Sequence, residues 1–215
     1  MKINDVRSGR VLPIRSHPAS RVIVHSTGET DLDAILKFYT TPGAVCPHYV
    51  IAHDGTINRI VPEDHVAWHV AYAPGVAAIY AKGLQEWQRW RMHAGKLDKS
   101  ARDGYYAAWT ARWPGVEDPR SLAGSRPNYM SIGIELQALE SPTKRIFTDA
   151  QYGSLVELTS DVCKRLNIIP SQQTVFGHSD ADPIARSNDR GQWDPGVLFD
   201  WHTVSVGVGF SGANA

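Results

Sequence analysis

Cysteine is nearly absent from this chain. Cys46 and Cys163 are its only two, too few for a disulfide framework or a thiolate metal site. Cys163 falls inside a helical pattern and reads as a buried free thiol. No sign of charge predominates either: 22 Lys and Arg against 22 Asp and Glu leave a formal net charge of +0. The basic surplus of a nucleic-acid binder is missing, which leaves room only for a local basic groove. No stretch is long and apolar enough to cross a membrane. Residues 1–10 reach charge before any apolar h-region forms, so no signal peptide is expected and synthesis is expected to end in the cytoplasm. Internal repeats are lacking as well. What remains is ordinary for a globular chain: 215 residues, 42% hydrophobic and 20% charged, enough for one well-buried core.

Taken in order, residues 1–19 are polar and proline-containing, an arm or a short edge strand. Residues 21–26 are β-branched and apolar between polar ends, a buried central strand that places His25 at its C-terminal end. Thr30 can cap a helix with Leu32, Ile35, Leu36 and Tyr39 on one stripe, ended by Pro42-Gly43. Residues 47–60 read as a hairpin turning at His53-Asp-Gly55. Val66-Ala-Trp-His-Val70 follows, apolar but broken by His69.

Residues 74–128 differ in character. Trp87, Trp90, Trp109 and Trp113 lie among Arg, Lys, Gly and Pro, with helical patterns over 84–93 and 99–112. This reads as an insertion packed beside the main sheet within a single domain. Its tryptophans form the insertion's own core, or one or two line a groove. Ser131-Ile-Gly-Ile-Glu-Leu136 is a second apolar strand that alternates Ile132, Ile134 and Leu136 against Glu135. Thr148 with Gln151 forms a capping box. It opens a helix striped by Tyr152, Leu155, Thr159, Val162 and Leu166. Residues 173–177 are a strand leading into His178, and the small-residue tail from Thr203 is expected to be loosely held. The fold class is α/β, a mixed central sheet flanked by helices.

His25-Ser-Thr and His178-Ser-Asp are near copies, each opening a Ser/Thr-rich loop at a strand end. A lone histidine there is ordinarily structural; two, with an aspartate further along the second loop, suit zinc with a position left open. Asp180, Asp182, Asp189 and Asp194 all qualify on sequence alone. Glu135 is costly to bury among Ile and Leu unless paired or functional. It either faces solvent on a half-covered sheet or faces the metal, where it can move protons between a water and a leaving amine.

The chain resembles the zinc-dependent N-acetylmuramoyl-L-alanine amidases that share a fold with peptidoglycan recognition proteins, a family of phage endolysins and anhydro-muropeptide amidases. The stretches carrying the likeness are Val22-Ile-Val-His-Ser-Thr27, Pro47-His-Tyr-Val-Ile-Ala-His-Asp-Gly55, Val66-Ala-Trp-His-Val70, Ser131-Ile-Gly-Ile-Glu-Leu136, Phe176-Gly-His-Ser-Asp180 and Trp193-Asp-Pro-Gly-Val-Leu-Phe-Asp-Trp201. They run in the family's order. The resemblance implies that His25, His178 and Asp194 hold Zn2+, the aspartate being the one in Asp-Pro-Gly. It implies that Glu135 is general base and acid for attack on the amide joining N-acetylmuramic acid to L-alanine. His69 matches a position beside the cleft, either a contact behind a ligand or to substrate, or else a hydrogen-bonded structural histidine.

Two departures stand out. The lysine that relatives often place two residues before the carboxylate ligand is Gln192 here. Arg190 first, then Arg186, or Gln192 itself, are the candidates for the oxyanion. Some phage relatives carry a catalytic tyrosine where Pro47 stands, which leaves the proton work to Glu135. The expected substrate is peptidoglycan or a muropeptide, met by a monomer without nucleic acid. The setting implied is an endolysin released to the cell wall by a holin; the alternatives are a cytoplasmic recycling amidase, a non-catalytic peptidoglycan-binding module, or a zinc hydrolase of another amide.

Overall fold

Val22, Ile23 and Val24 are branched, apolar and wholly buried, a composition that fits a strand covered on both faces. In the computed structural model, which describes residues 1–9, 12–70, 127–139, 146–181, 194–196 and 198–211, they form the middle of strand β2, Arg21–Ser26. The other strands are β1, Ile3–Asp5; β3, Tyr49–Ile51; β4, Ile57–Arg59; β5, Ser131–Leu136; and β6, Val175–Gly177. They make one sheet in the order β1-β4-β3-β5-β2-β6. Among the described strands, β3 and β4 pair antiparallel and the other neighbours are parallel. The sheet is therefore mixed, and residues 1–19 do supply a short edge strand. The last strand is shorter than expected, because Thr174 closes a turn back onto Ser171.

Helix α1, Leu32–Thr40, covers one face. Its N-cap is Asp31, whose carboxylate accepts from Asp33 N and Ala34 N. Thr30 is not the cap. A carboxylate held there satisfies two orphan amides and favours the positive end of the helix, which a hydroxyl does less well. Ile35 and Tyr39 pack on Val50, Ile60, Val61 and Ala67. Pro127–Met130 forms a short helix, α2. Its Asn128 holds the strandless segment at His69: the side-chain oxygen accepts from His69 N and Val70 N, and the amide donates to Val70 O.

The opposite face carries α3, Asp149–Arg165, opened by the expected Thr148–Gln151 capping box. Tyr152, Leu155, Thr159 and Val162 face inward as the periodicity predicts, joined by Leu158 and Cys163. They meet Val22, Val24, Tyr49, Ile51, Ile132, Ile134 and Leu136 from the sheet. Burial pushes the Cys163 thiol up to about 11, which keeps it protonated and unreactive. Leu155 is fully buried in this layer. Leu155→Ala is expected to lower stability by about 2–5 kcal/mol, read from chemical unfolding, while leaving the opposite face intact.

After β6, the chain makes a single helical turn, α4, His178–Ala181. The expected loose tail is a helix for most of its described length, α5, Trp201–Val208. Asp200 caps it through Thr203 N, and Val204 and Phe210 are buried against α3. Small residues suggested looseness, but here smallness allows close packing. A Cβ on Gly207 would lie 2.7 Å from a Val156 methyl. The expected helices over 84–93 and 99–112, and most of the 74–128 insertion, lie outside the described residues.

Candidate active site

The strand register assembles the site. His25 pairs with Glu135 across β2 and β5, and Glu135 pairs with Val50 across β5 and β3. Alternation sends Val24 and Ile134 into the α3 layer, so His25 and Glu135 point to the α1 side. Val24 pairs with Gly177 at the end of β6; His178 is therefore one residue past the last pair, level with His25. Two imidazoles thus project from the C-terminal ends of neighbouring parallel strands, where ligands gather in such sheets.

Asp194 completes the group. Its Oδ1 accepts from Ser26 N at 2.6 Å, and this fixes the carboxylate so that Oδ2 meets the histidines. That oxygen lies 2.9 Å from His178 Nδ1 and 3.3 Å from His25 Nδ1, and the two Nδ1 atoms are 3.0 Å apart. All three side chains are buried. Burial alone would raise the Asp194 carboxyl. Hydrogen bonds from His178 and His25, and their charge, outweigh it and hold the group below the usual carboxylate range. Ligand atoms about 2.0–2.1 Å from a tetrahedral ion stand roughly 3.3 Å from each other. The three observed edges are close to that, so two imidazoles and a carboxylate fit a divalent cation with one position facing outward. Among the described residues, these three are the His, Cys, Asp and Glu side chains that converge in this way.

His69 lies directly behind His25. Its Nδ1 is 2.9 Å from His25 Nε2, and its Nε2 is 3.1 Å from Ser131 Oγ. Burial, with His25, His48, His178 and Arg15 nearby, pushes its pKa well below the ordinary histidine value. A neutral ring accepts on Nδ1, which keeps the His25 proton on Nε2 and leaves His25 Nδ1 as a lone-pair donor. Gly133 makes room for this ring: a Cβ there would sit 2.4 Å from His69 Cγ.

A cavity of about 450 Å³ opens over the group, lined by His25, His69, Glu135, His178 and Asp194. Glu135 is 9% exposed, so it faces this cavity and not bulk solvent. Phe38, Val45 and Leu139 stand exposed at the mouth and give it an apolar rim. A larger groove of about 780 Å³ runs past Arg15, Tyr49, Glu63 and Arg165. Its Arg165 pairs with Glu63 and Asp161, and it holds none of the candidate metal group, which lines the smaller cavity. Arg186, Arg190 and Gln192 lie outside the described residues, as do Asp182 and Asp189.

Sequence reasoning read Tyr39 only as part of a helix stripe. It also lines this cavity, beside Glu135. The anchoring roles of the Ser26 amide, Ser131 and Gly133 were likewise not legible, since each depends on a contact far along the chain.

Residues 15–197 match the N-acetylmuramoyl-L-alanine amidase family profile. A 74-residue segment is 42% identical to the 1,6-anhydro-N-acetylmuramyl-L-alanine amidase AmpD of Haemophilus influenzae, over 34% of this chain and 35% of that protein. The match thus spans about a third of that relative's length. Among solved structures, the chain is similar to the endolysin amidase LysCS from Clostridium intestinale, with a TM-score of 0.56, 18% identity and coverage of 98% and 97% of the two chains. It is also similar to the AmiD amidase from E. coli, solved with anhydro-N-acetylmuramic acid-L-Ala-D-gamma-Glu-L-Lys, with a TM-score of 0.57, 22% identity and coverage of 91% and 60%. These two likenesses establish the fold.

Proposed function

From the premise that this chain belongs to the N-acetylmuramoyl-L-alanine amidase family, we propose that it hydrolyses the amide between N-acetylmuramic acid and L-alanine. The observation that carries the reading is the convergence of His25, His178 and Asp194 beside Glu135 in one cavity. A binding module has no need of a full ligand set and a buried proton carrier together.

In this reading His25 and His178 through Nδ1, and Asp194 through Oδ2, hold zinc. When bound there, zinc supplies a Lewis acid for the scissile carbonyl and lowers the pKa of a water. The chain's own residues do the rest. Glu135 takes a proton from the attacking water on its carboxylate and returns it to the departing alanine nitrogen. Ser26 N keeps Asp194 turned toward the histidines, and His69 keeps the His25 ring in the required tautomer. The apolar rim of Phe38, Val45 and Leu139 receives the uncharged faces of the sugar and the lactyl and alanine methyls. Arg190, then Arg186 or Gln192, remain the candidates for the oxyanion.

His69→Ala is expected to weaken metal affinity about 10- to 100-fold, the usual cost of losing the partner behind a histidine ligand. Competition with a chromogenic chelator reads this without any substrate.

The setting of the reaction has two readings. As an endolysin the chain acts on intact peptidoglycan; the segment shared with AmpD favours soluble anhydro-muropeptides. Among the described residues, no helix is long and apolar enough to cross a membrane. Purified sacculi and soluble anhydro-muropeptides offered in parallel, with products identified by mass spectrometry, test both points. Free stem peptide beginning at L-alanine supports the amidase reading, and the faster substrate identifies the setting. Cleavage at any other bond, or none with zinc bound, refutes it.

A further inference from the structure

Residues 66–70 belong to neither strand nor helix, yet His69 and Val70 are buried. Backbone polar groups there need the partners that a neighbouring strand would otherwise supply. Asn128 meets three of them. Its Oδ1 accepts from His69 N at 3.1 Å and from Val70 N at 2.9 Å, and its Nδ2 donates to Val70 O at 2.8 Å. Two N–H groups on one side and a carbonyl on the other fix which end of the amide is which. A side chain thus copies the donor and acceptor of a strand edge, and it is wholly buried while doing so.

Asn128 also begins a stretch that grips His69 at several points. Ser131 Oγ lies 3.1 Å from His69 Nε2. Gly133 offers bare backbone to the ring, where a Cβ would come within 2.4 Å of Cγ. Arg15 anchors the stretch: Nη1 donates to Asn128 O at 3.2 Å and Tyr129 O at 2.7 Å, and Nη2 donates to Ser131 O at 2.6 Å. Held this way, His69 puts Nδ1 2.9 Å from His25 Nε2. We propose that Asn128 is a positioning residue of the candidate metal site. By holding the backbone at His69 and Val70, it sets the His69 ring against His25 and so keeps His25 Nδ1 turned to the cation. Ser131 and Gly133 act on the ring; Asn128 acts on the backbone from which the ring hangs, and the hydrogen bond to His25 weakens steeply with misalignment. The proposal rests on the amidase reading and deepens it.

The test is a cycle of Asn128→Ala, His69→Ala and the double variant, read as zinc affinity by competition with a chromogenic chelator. Asn128→Ala is expected to bind zinc about 10-fold more weakly than wild type, within the roughly 10- to 100-fold that loss of His69 itself costs. The double variant is expected to bind no more weakly than His69→Ala alone, because the clamp acts through that ring. Wild-type affinity in folded Asn128→Ala would overturn the proposal, as would additive losses in the double variant. Leu155→Ala separates positioning from general weakening. It lowers stability on the opposite face and is expected to leave zinc affinity at the wild-type value. If it weakened zinc binding as much as Asn128→Ala does, the loss would be one of stability and the proposal would fall. A second readout needs neither variant nor metal. In chelated wild-type protein, the amides of His69 and Val70 are expected to exchange slowly with solvent hydrogen. Exchange as fast as in an open loop would mean that the clamp does not form, and would overturn the proposal even if Asn128→Ala failed to fold. If the wild-type chain bound no zinc, the amidase reading would fail and take this role with it. The exchange rates would still report whether Asn128 holds the segment.

Discussion

Asp194→Asn is expected to lose tight zinc binding and to cut amide hydrolysis by about 10³-fold or more, without unfolding the chain. The side chain is nearly the same size, and its oxygen can still accept from Ser26 N as the carboxylate does at 2.6 Å. The negative charge facing both Nδ1 atoms is what disappears. The amide's other terminus is a donor, and it would face His178 Nδ1 at the present 2.9 Å separation. It cannot bind a cation in place of Oδ2. Charge stabilisation by a bound metal is worth several kcal/mol in a transition state, and each 1.36 kcal/mol is tenfold in rate, so about 10³-fold follows. Metal content by mass spectrometry and the rate of stem-peptide release are measured on the same preparation. A variant that kept both would show that Asp194 is structural.

Glu135→Gln is expected to keep its zinc and lose turnover about 10²- to 10⁴-fold, the range of general acid-base catalysis. The two effects separate because Glu135 is on β5, facing the cavity beside the ligand group but outside it. Glutamine preserves volume, so the site keeps its shape while losing the group that carries the proton. Full activity with zinc bound would refute the assigned proton carrier. Loss of zinc along with activity would instead place Glu135 among the ligands.

Much of this site was legible because its chemistry sits on regular strands. Residues 21–26 and 131–136 are strands over exactly those spans, and alternation alone separates Glu135 from Ile134 and Leu136. His25 and His178 stood out as polar residues closing apolar runs. The aspartate was different. Four acidic residues follow His178, and spacing does not choose among them; Asp194 came from the resemblance, and it meets both imidazoles. Tyr39 was hidden because helical periodicity counts a tyrosine as apolar, and it comes to line the cavity only when α1 packs on the sheet. The link from His25 through His69 to Ser131 joins positions 44 and 62 residues apart, beyond any local pattern. The tail misled for a related reason. Its glycines were read as freedom, but one of them is the contact surface for Val156.

The most direct measurement is a zinc titration of fully chelated wild-type protein, following stem-peptide release at each addition. The account predicts no release from the chelated chain, a linear return, and a break at one zinc per chain, with Asp194→Asn silent throughout. Undiminished release from the chelated protein, or a return that needs more than one equivalent, would contradict a single metal held by His25, His178 and Asp194.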